Sequence, residues 1–136
     1  MREILFRGKR TDNGEWTEGY VYWMETEHAS ISYPYGDVML VSNVYPETVG
    51  QYAGVTDRKG RKIFEGDIIE YRFNSPTIGV IRFGEYRNPS DNENTRHVGF
   101  YVDWGIKKDR VCADIGYWNR LVEVIGNIYD NPELVS

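Results

Sequence analysis

The chain has 136 residues and a mass of 15.9 kDa, enough for one ordinary domain or two very small units sharing a core, and one folding unit over 1–136 is expected. Its formal charge of -5 and pI near 5.1 exclude a global positive field able to hold phosphate backbones, although a local basic face is compatible with them. A single cysteine, Cys112, excludes an intramolecular disulfide framework and reads as a small strand residue. The opening "MREILFRGKR" is charged, and no apolar run reaches membrane-spanning length, so a soluble cytoplasmic protein without a membrane partner is expected.

Aromatic residues make up 15% of the chain, with eleven Tyr and four Trp, which favours sheet because such side chains pack well on a pleated surface. In chain order, "EILFRGKRTDNGEWTEGYVYW" predicts two strands joined around Asp12-Asn13-Gly14, residues that tolerate the backbone of a hairpin turn. A short helical turn fits Met24 to His28. Pro34, Gly36 and Pro46 then punctuate the chain around a strand from Val38 to Val41. In "TDRKGRK", Asp57 and Gly60 suit the first and last places of a type I turn, leaving Arg58, Lys59, Arg61 and Lys62 as a basic, solvated tip.

The run "IIEYRF" alternates Ile69, Tyr71 and Phe73 with Glu70 and Arg72, as a half-buried strand does, and "VIRFGEY" returns from the "NSPTIG" turn with Ile81 and Phe83 inward. Residues 87–96, "RNPSDNENTR", are a long polar loop. "VGFYVDW" and "CADIGYW" read as strands on either side of the basic loop "GIKKDR", and the last strand, in "LVEVIGNIYDNPELV", stops near Gly126, with Asn131-Pro132 ending regular structure. Many short strands with turns at this spacing predict an all-β barrel or sandwich.

His28 and His97 stand far apart, with no CxxC or HxxxH spacing, so no metal site and no cofactor is expected, and both histidines read as surface residues. There is no P-loop string and no nucleophile elbow, so no catalytic residue is assigned. The triplet Glu65-Gly66-Asp67 pairs two carboxylates in a manner that acid/base or metal chemistry could use. Placed before a strand it has a simpler reading: Gly66 bends the backbone, Asp67 accepts a nearby backbone N–H, and Glu65 stays in water or pairs with Lys62 or Arg61.

Three stretches together, "FRGK", "ETVGQYAGVTDRKGRKIFEGDIIEY" and "EVIGNIYDNPEL", resemble the YopX family of phage and prophage proteins, in matching order from about Arg2 to Leu134. Ala53 and Val55 stand where the family more often has Thr and Leu. The resemblance implies a small cytoplasmic β protein encoded by a prophage and built around an SH3-like barrel, and it carries over no catalytic residues. The order Gly-Asp, strand, loop, Gly, strand in "EGDIIEYRFNSPTIGVIRFGEY" also begins many SH3-like barrels, including KOW-type barrels of RNA-associated proteins. The fold expected is therefore an SH3-like β-barrel over 51–130 with an added N-terminal meander over 1–50.

Three functions compete. The first is a non-catalytic binding or assembly module, in homo-oligomers or with a phage or host protein, presenting loops and aromatics such as Tyr33, Tyr35, Tyr86 and Tyr101, which fit core alternation least. The second is an RNA or single-stranded nucleic-acid binder that uses Arg58, Lys59, Arg61, Lys62, Lys107, Lys108 and Arg110 for phosphates and Tyr86 or Tyr101 for stacking. The third is an enzyme whose site lies in the loop 87–96.

Overall fold

The computed structural model describes residues 4–72, 76–88, 95–105 and 113–135. Phe73, Lys107, Lys108, Arg110, Cys112 and the middle of the 87–96 loop lie outside them. The described residues form ten strands: β1 (Phe6–Lys9), β2 (Trp16–Met24), β3 (Ala29–Tyr35), β4 (Val38–Val44), β5 (Gly50–Thr56), β6 (Lys62–Phe64), β7 (Asp67–Tyr71), β8 (Thr77–Tyr86), β9 (His97–Asp103) and β10 (Glu123–Asn127). A single helical turn, α1 (Ile115–Trp118), precedes β10. Two compact units divide at Gly54/Val55, within β5.

The all-β expectation holds, and the SH3-like barrel does not. The strands form two open sheets, ordered β4-β3-β2-β1-β5-β6 and β10-β7-β8-β9. Residues 51–130, expected to close into one barrel, are shared between them. β5 and β6 hydrogen-bond in the first sheet while β7 starts the second, and α1 follows β9 where a closing strand would be needed.

In the first unit, successive antiparallel pairings set the register Phe6↔Gly19 for β1–β2, Ile31↔Ser42 for β3–β4 and Phe6↔Gln51 for β1–β5. Ala29, Ile31 and Val44 form its buried centre, with Phe6 and Val49 packed on them. The loop at Asp12-Asn13-Gly14 joins β1 to β2 as expected. Its backbone closes through Arg10 N–H to Glu15 O at 2.8 Å, and Asn13 Oδ1 accepts the Glu15 N–H at 2.9 Å. Met24 to His28 is not helical: β2 runs through Met24, and a bend closed by Glu25 N–H to His28 O at 2.8 Å leads directly into β3. Pro34 does not interrupt β3 either. It pairs with Met39 beyond the four β3 residues that face β2, at a point where the missing N–H faces no neighbouring strand.

In the second unit, β7, β8 and β9 are antiparallel neighbours, with Ile68↔Val80 and Ile81↔Val102 opposite one another. Ile69, Ile81, Val102 and Val124 share one buried face, where Trp118 from α1 meets Trp104 and Tyr71 edge-on, ring centres 5.1 Å apart in each case. Ile68 and Val80 are buried on the other face, so β7 begins covered on both sides rather than half-buried. Phe83, expected inward, is 51% exposed and rests edge-on against Phe100 at 4.9 Å. The described part of "CADIGYW", from Ala113 on, contributes the isolated Tyr101↔Asp114 bridge and then turns helical, with Asn119 N–H bonded to Ile115 O at 2.8 Å. β10 stops at Asn127, as the sequence indicates, and a 3-10 turn at Pro132–Val135 follows.

The Glu65-Gly66-Asp67 triplet is a turn. Gly66 holds φ of +92°, its N–H bonds Ile81 O at 2.8 Å, and its own carbonyl accepts the Ile128 N–H at 2.9 Å. Asp67, 1% exposed, accepts the Phe64 N–H at 2.7 Å and so closes the turn from its far side. Gly66→Val places a branched side chain at that φ, with its Cβ 3.1 Å from the Tyr129 ring. It is expected to cost about 1 to 3 kcal/mol. Asp67→Ala, which strands the buried Phe64 N–H, is expected to cost a similar amount, about 1 to 3 kcal/mol. Chemical denaturation of both variants checks this, with Glu65→Gln as the near-silent control.

Candidate functional site

Three places in the structure gather side chains able to bind something. The first is the basic tip. Asp57 opens the turn, with Gly60 N–H bonded to its carbonyl at 3.0 Å. Its buried carboxylate accepts the N–H groups of Lys59 and Arg61 on Oδ1 and of Val124 in β10 on Oδ2, each at 2.9 Å. Burial pushes this carboxyl upward, yet the three backbone donors and the Arg61 charge outweigh it and hold the pKa below the ordinary carboxylate value.

Pinned in this way, the tip meets Glu123 of β10. Arg58 Nη2 and Lys59 Nζ each lie 3.3 Å from a Glu123 oxygen, and Arg61 Nη1 donates to Val124 O at 3.2 Å. Hydrogen bonding from Lys59, followed by the charges of Lys59 and Arg58, holds Glu123 below its ordinary pKa. Lys62 stands exposed in β6. The four cations read as a solvated cluster are therefore partly neutralised by a carboxylate more than sixty residues away in sequence.

The second place is the open face of β8 and β9. The register sets Tyr86 opposite His97 and Arg82 opposite Tyr101, with the Gly84↔Gly99 pair between them supplying no side chain. The Tyr86 ring stands between the other two, its centre 5.2 Å from His97 and 5.0 Å from Tyr101, nearly parallel to both. Its hydroxyl donates to Asp114 Oδ1, while Asn88 donates to Asp114 Oδ2 at 3.2 Å and accepts the Ala113 N–H at 2.7 Å. Both oxygens of Asp114 are thus engaged in holding 113–114 against the end of β8, while the backbone of 113–114 bonds β9.

Arg82 Nε donates to Asp103 at 2.8 Å, and Asp103 also accepts the Gly105 N–H at 2.9 Å. Burial raises this carboxyl, and the Arg82 hydrogen bond, the Gly105 N–H and the Arg82 charge more than reverse it, leaving the pKa lowered. The pair borders a cleft of about 580 Å³ walled by Ile78, Val80, Trp104 and Leu134. Among the described residues no cluster of His, Cys, Asp or Glu is arranged to hold a metal ion, and no helix is long and apolar enough to cross a membrane.

The third place lies in the first unit. β2 and β3 slip register between Val21 and Trp23, a bulge at Tyr22. Strict alternation would expose only every second residue of Tyr20-Val21-Tyr22-Trp23-Met24. With the bulge, Tyr20, Tyr22, Trp23 and Met24 are all more than half exposed. Tyr35 at the β3–β4 turn is 70% exposed, and Val38 to Val41 follow at 38% to 56%. Tyr33 is tied down, its hydroxyl 3.2 Å from that of Ser42.

The residues expected to bind are thus separated by their surroundings. Arg58, Lys59 and Arg61 are brought together with Glu123, and Tyr86 with Tyr101, while Lys107, Lys108 and Arg110 lie outside the described residues. His97, read as an isolated surface residue, joins the tyrosine stack, and Asp114, in a stretch read as strand, anchors it. Neither had a local sequence signal, because their partners come from other strands.

The profile of the YopX protein family matches residues 5–136. The chain belongs to the YopX family. The three YopX-like stretches occupy β1, the span from the Pro46–Thr48 turn through β7, and β10 with the segment after it. No curated protein matches the chain. The crystal structure of protein EF1440 from Enterococcus faecalis is similar in fold, 18% identical, with 100% of each chain covered and a TM-score of 0.58. At that identity, the likeness to this YopX chain concerns the fold alone.

Asp57 offers a pH test. Because its folded pKa is depressed, its contribution is fully present above the unfolded carboxyl pKa, roughly 3.9, and is lost as pH falls through the folded value. Asp57→Asn is expected to lower stability by about 1 to 3 kcal/mol at neutral pH. The gap from the parent should narrow on acidification below about pH 4, as seen in melts taken across the acid range. A gap that stays constant into acid would show that the carboxylate charge is not what holds the turn.

Proposed function

We propose that the protein is a non-catalytic assembly module of a phage programme, acting in the cytoplasm by presenting the apolar surface of its first unit to a phage or host protein. The observation that carries this reading is the bulge at Tyr22, which brings Trp23 onto the same exposed face as Tyr20, where strict alternation would have turned it toward the buried side. Exposed contiguous apolar surface of this kind marks interaction sites, and Tyr, Trp and Met are enriched at them. The carboxylates that could have served chemistry point the same way: Asp57, Asp67 and Asp114 are occupied in closing turns and tethering strands.

The nucleic-acid reading draws support from the tyrosine pair but loses it at the basic tip. Tyr86 lies between two rings already, and Arg58 and Lys59 face Glu123. At the described basic tip this pairing leaves little unopposed positive charge with which to release counterions from a single strand.

Two measurements test the proposal. Recovery of protein partners from cells with the phage programme induced should survive nuclease and drop sharply for a Tyr22→Ser, Trp23→Ser variant that melts like the parent. Binding to a generic single-stranded oligonucleotide should be weak even at low salt and unchanged by Lys59→Glu with Lys62→Glu. Salt-sensitive tight binding abolished by those charge reversals would replace the assembly reading with the nucleic-acid one.

A further inference from the structure

We propose that β4 pairs antiparallel with β4 of a second copy of this chain, about a two-fold axis passing through Leu40. This inference rests on the assembly-module reading and names one partner for it.

The edge available for such pairing is defined by hydrogen bonding. Among the described residues β4 ends the first sheet, with β3 on one side and no strand on the other. Tyr35 and Val38 flank the two-residue Gly36-Asp37 turn, so that pair exchanges hydrogen bonds, as do the alternate pairs Tyr33↔Leu40 and Ile31↔Ser42. The N–H and C=O groups of Met39 and Val41 therefore face away from β3. Farther along, the outer side is taken: Asn43 O accepts the Thr11 N–H at 3.0 Å, and Arg10 bridges Val44. What remains open is a window of three residues, Met39 to Val41, with an outward residue at each end and Leu40 between them.

That window complements itself. Rotated by a two-fold axis at Leu40, it sets Met39 opposite Val41 of the second copy and the reverse, each a hydrogen-bonded pair, so all four outward backbone groups on each copy find partners. Leu40 faces Leu40 of the second copy in a non-hydrogen-bonded pair, where Cα atoms stand about 4.5 Å apart and side chains are closest.

Charge and surface also fit. From Val38 to Val44 the strand "VMLVSNV" has no charged residue, in a chain that is 27% charged and carries -5 overall, so two copies meet there without like-charge opposition. Edge strands left to face water are ordinarily guarded by charges, above all lysine. Val38, Met39, Leu40 and Val41 are 56%, 55%, 38% and 48% exposed, and Tyr20 and Trp23, on the same face as Met39 and Val41, are 53% and 57% exposed.

The test uses the purified full chain in a Cys112→Ser background. Leu40→Cys should form a disulfide-linked dimer rapidly under a mild oxidant, since the two-fold axis brings the thiols together, whereas Val98→Cys, at a 76% exposed position in the second unit, should not. Sedimentation equilibrium should find the parent dimeric, and Leu40→Glu, which sets two carboxylates face to face, should raise the dimer dissociation constant about tenfold or more. A parent that stays monomeric at its highest soluble concentration overturns the proposal, as does equal cross-linking of the two cysteine variants. If Leu40→Glu fails to fold, the cross-linking comparison decides alone. Nuclease-resistant partner recovery by a monomeric parent would remove the β4 pairing and leave the assembly reading standing; a dimeric parent with no such recovery would do the opposite.

Discussion

One carboxylate, that of Asp57, does much to order the second unit. Buried charge is tolerated only where hydrogen bonds replace lost water, and here three backbone N–H groups do so. Two come from the turn itself and fix its shape. The third comes from Val124, so the same side chain that shapes the turn fastens it to a strand sixty-seven residues later. β10 then pairs with β7, and β7 with β8. Asp67 repeats the device at the next turn. β6, only three residues long, is thus bracketed by turns whose side chains, not strand length, hold the chain in place.

This use of acids bears on function. A carboxylate with its oxygens committed to backbone donors has little capacity left to exchange a proton with a substrate, and its depressed pKa keeps it ionised at any physiological pH. Aromatic side chains divide in the same way. Trp104, Trp118 and Tyr71 fill the interior face of the second sheet, Tyr86 is held between rings and by Asp114, and the surplus on β2 and at the β3–β4 turn has no internal role. The surplus therefore points outward.

Much of the local structure was legible in the sequence. Asp12-Asn13-Gly14, Asp57 to Gly60 and Glu65-Gly66-Asp67 all turn the chain, because the conformations of Gly and the short acceptor side chains of Asp and Asn act within a few residues. The β7–β8 hairpin followed from alternation. Errors arose where distant partners decided. Whether strands close a barrel or stay in two sheets depends on which edges meet, and a local pattern does not contain that. Ile115 to Trp118 alternates like a strand, yet it coils because Trp118 has a site on Trp104 and Tyr71. The Tyr22 bulge leaves no mark in "YVYWM", since every residue there suits a strand on either face. At the candidate sites, the cations and tyrosines could be named from sequence, but not Glu123, His97 or Asp114, which determine what those groups are free to do.

Pro34 gives the β3–β4 hairpin a direction. A two-stranded arm ordinarily offers adhesive backbone along both sides, and material that adheres on two sides can add units without limit, as fibres do. Here one side of the tip lacks a donor where Pro34 sits, while the other ends abruptly at Asn43, already bonded to Thr11. The arm is left with a single short adhesive margin, which one neighbour saturates. The proposed contact through it would stop at a closed pair, making a connector of defined valence out of an uncharged edge that would otherwise invite aggregation.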